Sequence, residues 1–243
     1  NDPRVLNRIA NVRKELEANG ARYTICFLDE NSLESWTSLI SHEQAANDYE
    51  FLLNWLLADS TLGLVFKPKY PGTLFRRINR LSDLIAEAEQ TGRCKFQTSD
   101  YLIGDVYPAE TAAAADICVG KLGGTAPSEV RLSGIKTILI DVEGFGAHPF
   151  YDWARGRIAF SNWNSLKDAI ERYRKNPSEF SDFGEWSPQL EKFDSFHDGL
   201  GRVRMGSYIA WLHEELAKGG SKESVLAAVA QRYTAKWGAG DRI

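Results

Sequence analysis

The sequence predicts an α/β protein: a Rossmann-like, mostly parallel sheet flanked by helices, followed by a C-terminal helical tail. Three observations carry this expectation. The runs DICVG (116–120) and KTILIDV (136–142) are nearly continuous in apolar residues, as expected of strands buried on both faces in a parallel sheet. Strand-like runs alternate with helix-periodic stretches, the signature of βαβ units. Beyond about residue 198 the strand signal stops and two helical stretches close the chain. The expected boundaries are a domain over 1–198 and a tail over 199–243.

The elements follow in order. Residues 2–19 place Val5, Leu6, Ile9, Val12 and Leu16 at helical spacing, with Gly20 as a stop. RYTICFLDE is a β-rich run ending in acids. Residues 43–58 read as a helix with Tyr49, Leu52, Leu53, Leu56 and Leu57 on one side, and LGLVFKPK (62–69) as a strand that Pro68 stops. Residues 73–90 read as one long amphipathic helix ending at Gly92, and CKFQTS as a short strand. The alanine-rich stretch 108–115 is helical, with Pro108 suited to its first turn. RIAF (157–160) is a last short strand, and a helix over 164–175 follows. In the tail, 202–218 and 222–236 are helical, with Ser221 as a cap and Glu223 as an acid in the first turn. Tyr208, Trp211, Tyr233 and Trp237 are expected to dock these helices on the sheet.

Composition narrows the function. A formal net charge of -4 argues against a nucleic-acid binder. Cys26, Cys94 and Cys118 are odd in number and widely spaced, which suits buried free thiols in a reducing compartment. No C-x-x-C or H-E-x-x-H pattern points to zinc. No apolar run has the roughly 20 residues needed to cross a bilayer. The chain opens NDPRVLNRI with no Met and no signal-peptide pattern, as expected of a processed chain or a piece of a longer one.

Ligands of parallel α/β sheets bind beyond the carboxyl ends of the strands, so FKPK, CVGKLGGT and IDVEGFGAH hold the candidate residues. In KLGGTAPSE, Gly123 and Gly124 allow a sharp turn and close approach. Thr125 is expected to cap a helix beginning at Ala126–Pro127, whose free N–H groups favour an anion such as a diphosphate. Glu129 either offsets the helix dipole and completes a capping box with Thr125, or accepts hydrogen bonds from sugar hydroxyls. Lys67 and Lys69 flank Pro68 and are either phosphate-neutralising cations or solvated strand-end lysines. Arg76 and Arg77 add charge nearby. Asp141, Glu143 and His148 surround two glycines in a loop, and His148 is either a group for phosphate binding or acid–base work, as an unperturbed imidazole suits near neutrality, or an ordinary surface residue. No residue is placed as a nucleophile or catalytic base. In the tail, Asp198 is a candidate cap. Arg202 and Arg204, two apart on a helix, point in different directions, so at most one faces a shared ligand.

The order of "LGLVFKPK", "AAAADICVG", "GGTAPSEVRLSGIKTILID" and "FHDGLGRVRMGSYIAWL … AVAQRYTAKWG" resembles the C-terminal, donor-binding half of GT-B glycosyltransferases. The nearest resemblance is to bacterial surface-carbohydrate proteins of capsule and lipopolysaccharide assembly, Kdo-transferase-like and glycerophosphotransferase-like groups among them. It covers roughly residues 43 to 238. It implies that Thr125, Ala126 and Glu129 lie at a donor nucleotide-sugar and that Lys67 stands near the donor phosphates. It further implies transfer to a carbohydrate acceptor, no cofactor and no metal, and a cytoplasmic location peripheral to the inner face of the membrane.

A complete enzyme of that architecture has two Rossmann-like domains, so an N-terminal partner domain is expected, and with it the base in many members. CMP, CDP, UDP and GDP sugars all remain open as donors. Two other readings stand beside the transferase: a nucleotide-sugar epimerase of the same architecture, and a non-catalytic binding or scaffold domain of polysaccharide assembly.

Overall fold

A computed structural model of the chain describes residues 3–36, 38–97, 106–144, 146, 151–187, 189, 190, 196 and 198–238. The chain divides into two compact units, residues 1–185 and 186–243, a boundary somewhat ahead of the expected 198/199.

The first unit runs α1 (Pro3–Ala18), β1 (Tyr23–Leu28), α2 (His42–Ala58), β2 (Leu62–Lys67), α3 (Leu74–Arg77), α4 (Ser82–Gln90), β3 (Cys94–Phe96) and α5 (Pro108–Ala112). It continues with β4 (Ile117–Lys121), α6 (Ala126–Leu132), β5 (Thr137–Ile140), α7 (Tyr151–Ala154), β6 (Ala159–Phe160) and α8 (Trp163–Lys175). The six strands form one sheet in the order β3-β2-β1-β4-β5-β6, every pair parallel. This is the Rossmann-like order, in which the chain reverses its direction of travel between β1 and β4 and leaves a crevice at their carboxyl ends.

Strand alternation sorts the core. Ile25, Phe27, Leu64, Phe66, Ile117, Val119, Ile138 and Ile140 meet Leu52, Leu53 and Leu56 of α2, Ile85 of α4, and Leu166 and Ile170 of α8. On the opposite face, Cys26, Leu28 and Cys118 meet Ala112 of α5 and Val130 of α6, while Leu16 of α1 packs with Val65. All three cysteines are buried and free, and burial raises the Cys118 thiol well above its usual range. Both faces being covered explains the continuous apolar runs of the central strands.

Two helix expectations need correction. Residues 73–90 do not form one helix. Two short 3-10 turns, Pro71–Thr73 and Asn79–Leu81, bracket α3, and Ile78 leaves the helical region at φ -115°, ψ 27°. The Ser82 hydroxyl donates to the Asn79 carbonyl at 2.5 Å, a local bond that competes with a continuous backbone ladder. The alanine-rich helix is also shorter than expected. α5 ends at Ala112, and tight turns carry the chain through Ala115 into β4.

The second unit holds α9 (Gly201–Ala217) and α10 (Lys222–Trp237). Ser221 caps α10 as expected, accepting from the Ser224 amide. Asp198 does not cap α9: the capping position is Leu200, which makes no side-chain cap. Its carboxylate accepts instead from the Leu200 amide and, at 2.7–2.9 Å, from the buried Arg204 guanidinium. The Tyr208 and Tyr233 rings meet edge-on at 5.8 Å, and Arg232 lies over Trp211, joining α9 to α10.

Among the described residues, no helix is long and apolar enough to cross a membrane.

Candidate functional site

Sheet register builds the site. Leu28 lies beside Lys67 of β2 and Gly120 of β4, and Lys121 lies beside Ile140 of β5. One residue further on, Asp29, Pro68, Leu122 and Asp141 mark the carboxyl edge of the sheet. The edge carries two groups of polar residues with very different surroundings.

The first group is open. After β4 the chain turns through Gly123, at φ +87°, a conformation that favours glycine. It then enters α6. The close packing of this helix on the sheet depends on Gly120, where an added Cβ would lie 2.2 Å from the Pro127 ring. Gly124 abuts the end of β1: a Cβ there would lie 2.8 Å from Glu30 Oε1. Glu30 Oε2 in turn accepts from the Lys69 ammonium at 2.5 Å. Gly123, Thr125 and Glu129 are exposed, and Gly124 and Ala126 are half-buried. Thr125 makes no side-chain cap, contrary to expectation, because its own backbone is already helical at φ -81°, ψ -29°. That places the hydroxyl away from the N–H groups a cap would serve. Glu129 completes no capping box, since Ser128 and not Glu129 occupies the third helical position. The Glu129 side chain has no ion-pair or hydrogen-bond partner among the described residues.

The second group is sealed. Lys121, 2% exposed, points to the α2 face, where its ammonium meets Asp48 Oδ2 at 2.8 Å and Glu143 Oε1 at 2.5 Å. Asp48 Oδ1 also accepts from Trp163 Nε1 at 2.7 Å. Burial raises the Glu143 carboxyl, and the Lys121 charge opposes that shift. Next to this cluster, Asp29 accepts from the Tyr49 hydroxyl at 2.9 Å and from the Lys69 amide, with the Arg77 guanidinium 3.8 Å away. Burial pushes Asp29 up to about 6 against these partners. Arg77 donates to Ser32 Oγ at 2.7 Å, and Ser32 shares a 2.9 Å hydrogen bond with His42 Nδ1.

The candidates divide accordingly. Gly123, Gly124, Thr125, Ala126 and Glu129 lie together on the open turn, with Lys69 brought to it through Glu30. Lys67 is buried, and its ammonium donates to the Pro68 carbonyl at 3.1 Å. Arg77 is buried among Asp29 and Ser32, while Arg76 is exposed. Asp141 is 1% exposed and shapes its own loop, accepting from the Tyr151 hydroxyl at 2.6 Å and the Gly144 amide at 3.1 Å. His148 lies outside the described residues. Arg202 is exposed on α9, in the other unit. Sequence reasoning missed Asp29, Asp48 and Lys121 as members of the edge. The signal available was an ionisable residue directly at the end of an apolar strand (FLD, CVGK) and an acid on the apolar side of a helix (NDYEFLL).

Among the described residues, no group of three or more His, Cys, Asp or Glu side chains is arranged to hold a metal ion. Among the described residues, concave sites away from the turn include a cavity of about 230 Å³ between α1 and α5 and a groove of about 420 Å³ between α2 and α8. The turn itself is an open edge: the Thr125 and Glu129 side chains are exposed, and the Gly124 amide donates to the Lys121 carbonyl at 3.3 Å. No known family model matches the chain, and no curated protein sequence matches it significantly.

Proposed function

We propose that the chain is the donor nucleotide-sugar-binding domain of a GT-B-type glycosyltransferase acting in bacterial surface-polysaccharide synthesis. The observation that carries this reading is the Gly123–Gly124–Thr125 turn at the β1/β4 reversal, with Gly123 and Thr125 exposed and the Thr125 hydroxyl and the Glu129 carboxylate both unengaged among the described residues. Backbone N–H groups at such a turn suit a diphosphate, and a carboxylate one helical turn on suits the hydroxyls of a ribose. Lys69 is the exposed cation of this edge, and it reaches a phosphate by exchanging its Glu30 partner for the ligand.

The chemistry is a displacement at the anomeric carbon. An acceptor hydroxyl oxygen forms the new bond to that carbon and gives up its proton to a base. The bond from carbon to the phosphate oxygen breaks, and the nucleotide leaves with the electron pair. Preorganised donors facing the leaving phosphate stabilise such a step by about 3–4 kcal/mol each when well placed. An open edge supplies one wall of a cleft. In this reading a partner domain carries the acceptor and the base, and the assembled enzyme works at the inner face of the cytoplasmic membrane.

Calorimetric titration with CMP, CDP, UDP and GDP tests the proposal. The expected result is binding of one diphosphate or monophosphate nucleoside in preference to the other three, weakened by Glu129→Ala. Silence with all four nucleotides overturns it and favours a scaffold domain.

A further inference from the structure

We propose that the groove between α2 and α8 is a binding site for a sugar that carries a carboxylate, a hexuronic acid. It uses none of the residues of the Gly123–Glu129 turn, so it stands independently of the nucleotide reading.

The groove holds about 420 Å³, within the range of roughly 300–1,000 Å³ usual for small-molecule sites. Asn47, Glu50, Phe51, Asn54 and Trp55 of α2 line it together with Lys167 of α8. The α2 positions recur at helical spacing and so share one face. Phe51 is half-buried. Its ring stacks on Trp163 at 5.4 Å and meets Trp55 edge-on, and what remains of its surface faces the groove. Around this ring stand polar groups with unused capacity. Arg80 donates to Asn47 Oδ1 at 2.5 Å and to Glu50 Oε2 at 2.8 Å, which leaves Asn47 Nδ2 and Glu50 Oε1 without a partner among the described residues. Asn54 Nδ2 donates to the Glu50 carbonyl at 2.9 Å, which leaves Asn54 Oδ1 in the same condition. The half-buried Lys167 ammonium lies 5.3 Å from the centre of the Trp55 ring and has no carboxylate partner among the described residues. Glu171, one turn along α8, is already engaged by Trp55 Nε1 at 3.2 Å and by Arg174 at 3.0 Å.

The placement of these groups selects the ligand class. Lys167 stands at the Trp55 end of the groove. Asn47 and Glu50 stand at the other end, since α2 rises about 7.5 Å from Glu50 to Trp55. A hexuronic acid is divided in the same way, with its carboxylate on C5 and its C2 and C3 hydroxyls across the ring. The carboxylate accepts from Lys167, and the hydroxyls donate to Glu50 Oε1 and Asn54 Oδ1 and accept from Asn47 Nδ2. The C–H face of the sugar ring covers Phe51. A docked peptide helix needs a row of apolar contacts instead. Trp55 is only 3% exposed, so Phe51 supplies the apolar surface of the described lining, enough for one sugar ring.

Titration of the isotope-labelled whole chain, followed by proton–nitrogen NMR, tests the assignment. The probes are D-glucuronate, D-galacturonate and trigalacturonate, with D-glucose as the uncharged control and acetate as the charge-only control. The expected result is saturable movement of the Trp55 indole N–H signal with at least one uronate, and binding weaker by about fivefold or more for glucose and for acetate, as for a cation contact at a half-exposed site. Trigalacturonate bound more tightly than the monomers assigns the groove to a sugar chain, and equal binding assigns it to a free sugar; either upholds the site. Lys167→Met keeps an apolar stem over Trp55, removes the cation and brings uronate affinity down to that of glucose. Asn54→Ala, at an exposed helical position where alanine is the better helix former, weakens uronate binding and decides the matter if Lys167→Met does not fold. No saturable movement with any uronate, glucose or acetate bound as tightly as the uronates, or unchanged uronate affinity in a folded Lys167→Met or in Asn54→Ala each overturns the proposal. The nucleotide titration reads other ligands at another edge of the sheet, so the two proposals fail separately.

Discussion

Lys121 and the Gly123–Glu129 turn leave the same strand and end in opposite circumstances. Lys121 is 2% exposed and held by two acids, whereas Gly123, Thr125 and Glu129 face solvent with side-chain groups unengaged. The parity of β4 makes the difference: odd positions face α2 and α8, even positions face α5 and α6, and the glycine turn then lifts the chain clear of both layers. The lesson concerns how charged residues at a sheet edge are to be read. A lysine at a strand end is a ligand contact only if it is not already neutralised inside the fold. Lys121 belongs to the architecture, and the turn beyond it is what a ligand can reach.

The largest expected effect breaks the sealed side. Lys121→Met leaves Asp48 and Glu143 buried without their cation, and the expected loss is about 3–5 kcal/mol in urea-denaturation stability. Nucleotide affinity per folded molecule stays unchanged. A loss of affinity without a loss of stability erases the distinction between the two groups.

Asp29 sharpens it through pH. Its folded pKa of about 6 lies above the ordinary 3.8, so the folded state holds its proton more tightly than the unfolded chain. Stability is therefore full below about 3.8, falls as pH rises towards about 6 and stays lower above it. The difference corresponds to about 3 kcal/mol, at 1.36 kcal/mol per unit. Asp29→Asn should remove that slope, seen by comparing urea midpoints of the two proteins from pH 4 to 7. A slope that persists in the variant assigns the titration elsewhere in the edge.

Gly120→Ala tests how the open side is held. The new methyl meets the Pro127 ring, pushes α6 off β4 and costs about 1–3 kcal/mol. Nucleotide binding weakens with it because the Thr125 turn moves. Smallest in stability is Glu129→Ala, within about 0.5 kcal/mol of the parent protein in the same unfolding assay, as for a surface residue without a partner. Its nucleotide affinity falls about tenfold or more, the value of a hydrogen bond to a charged group. A stability loss near 1 kcal/mol with unchanged affinity identifies Glu129 as a helix-dipole residue instead.

Much of this was legible in the chain. TICFL, LGLVF, DICVG and KTILI each became a strand because an apolar run bounded by turn residues states its own burial. The Gly-Gly-Thr turn was legible because glycine marks a backbone constraint locally. The helix break at Ile78 was not, since Leu74, Ile78 and Leu81 are all buried and their spacing fits a continuous helix equally well. Thr125 was misread as a cap because capping depends on a backbone angle that residue type only biases.

By itself, then, the sequence determined the alternation of strands and helices, the parallel character of the sheet and the position of the turn at its edge. These follow from periodicity and glycine placement, properties of neighbouring residues. Only the tertiary structure decided which charges are free. Asp48 and Lys121 are 73 positions apart, and Arg8 and Glu110 are 102 apart. Their pairing depends on which layer each element joins. Lys67, Lys69 and Lys121 are chemically alike along the chain, and burial alone made one an exposed candidate and two parts of the interior.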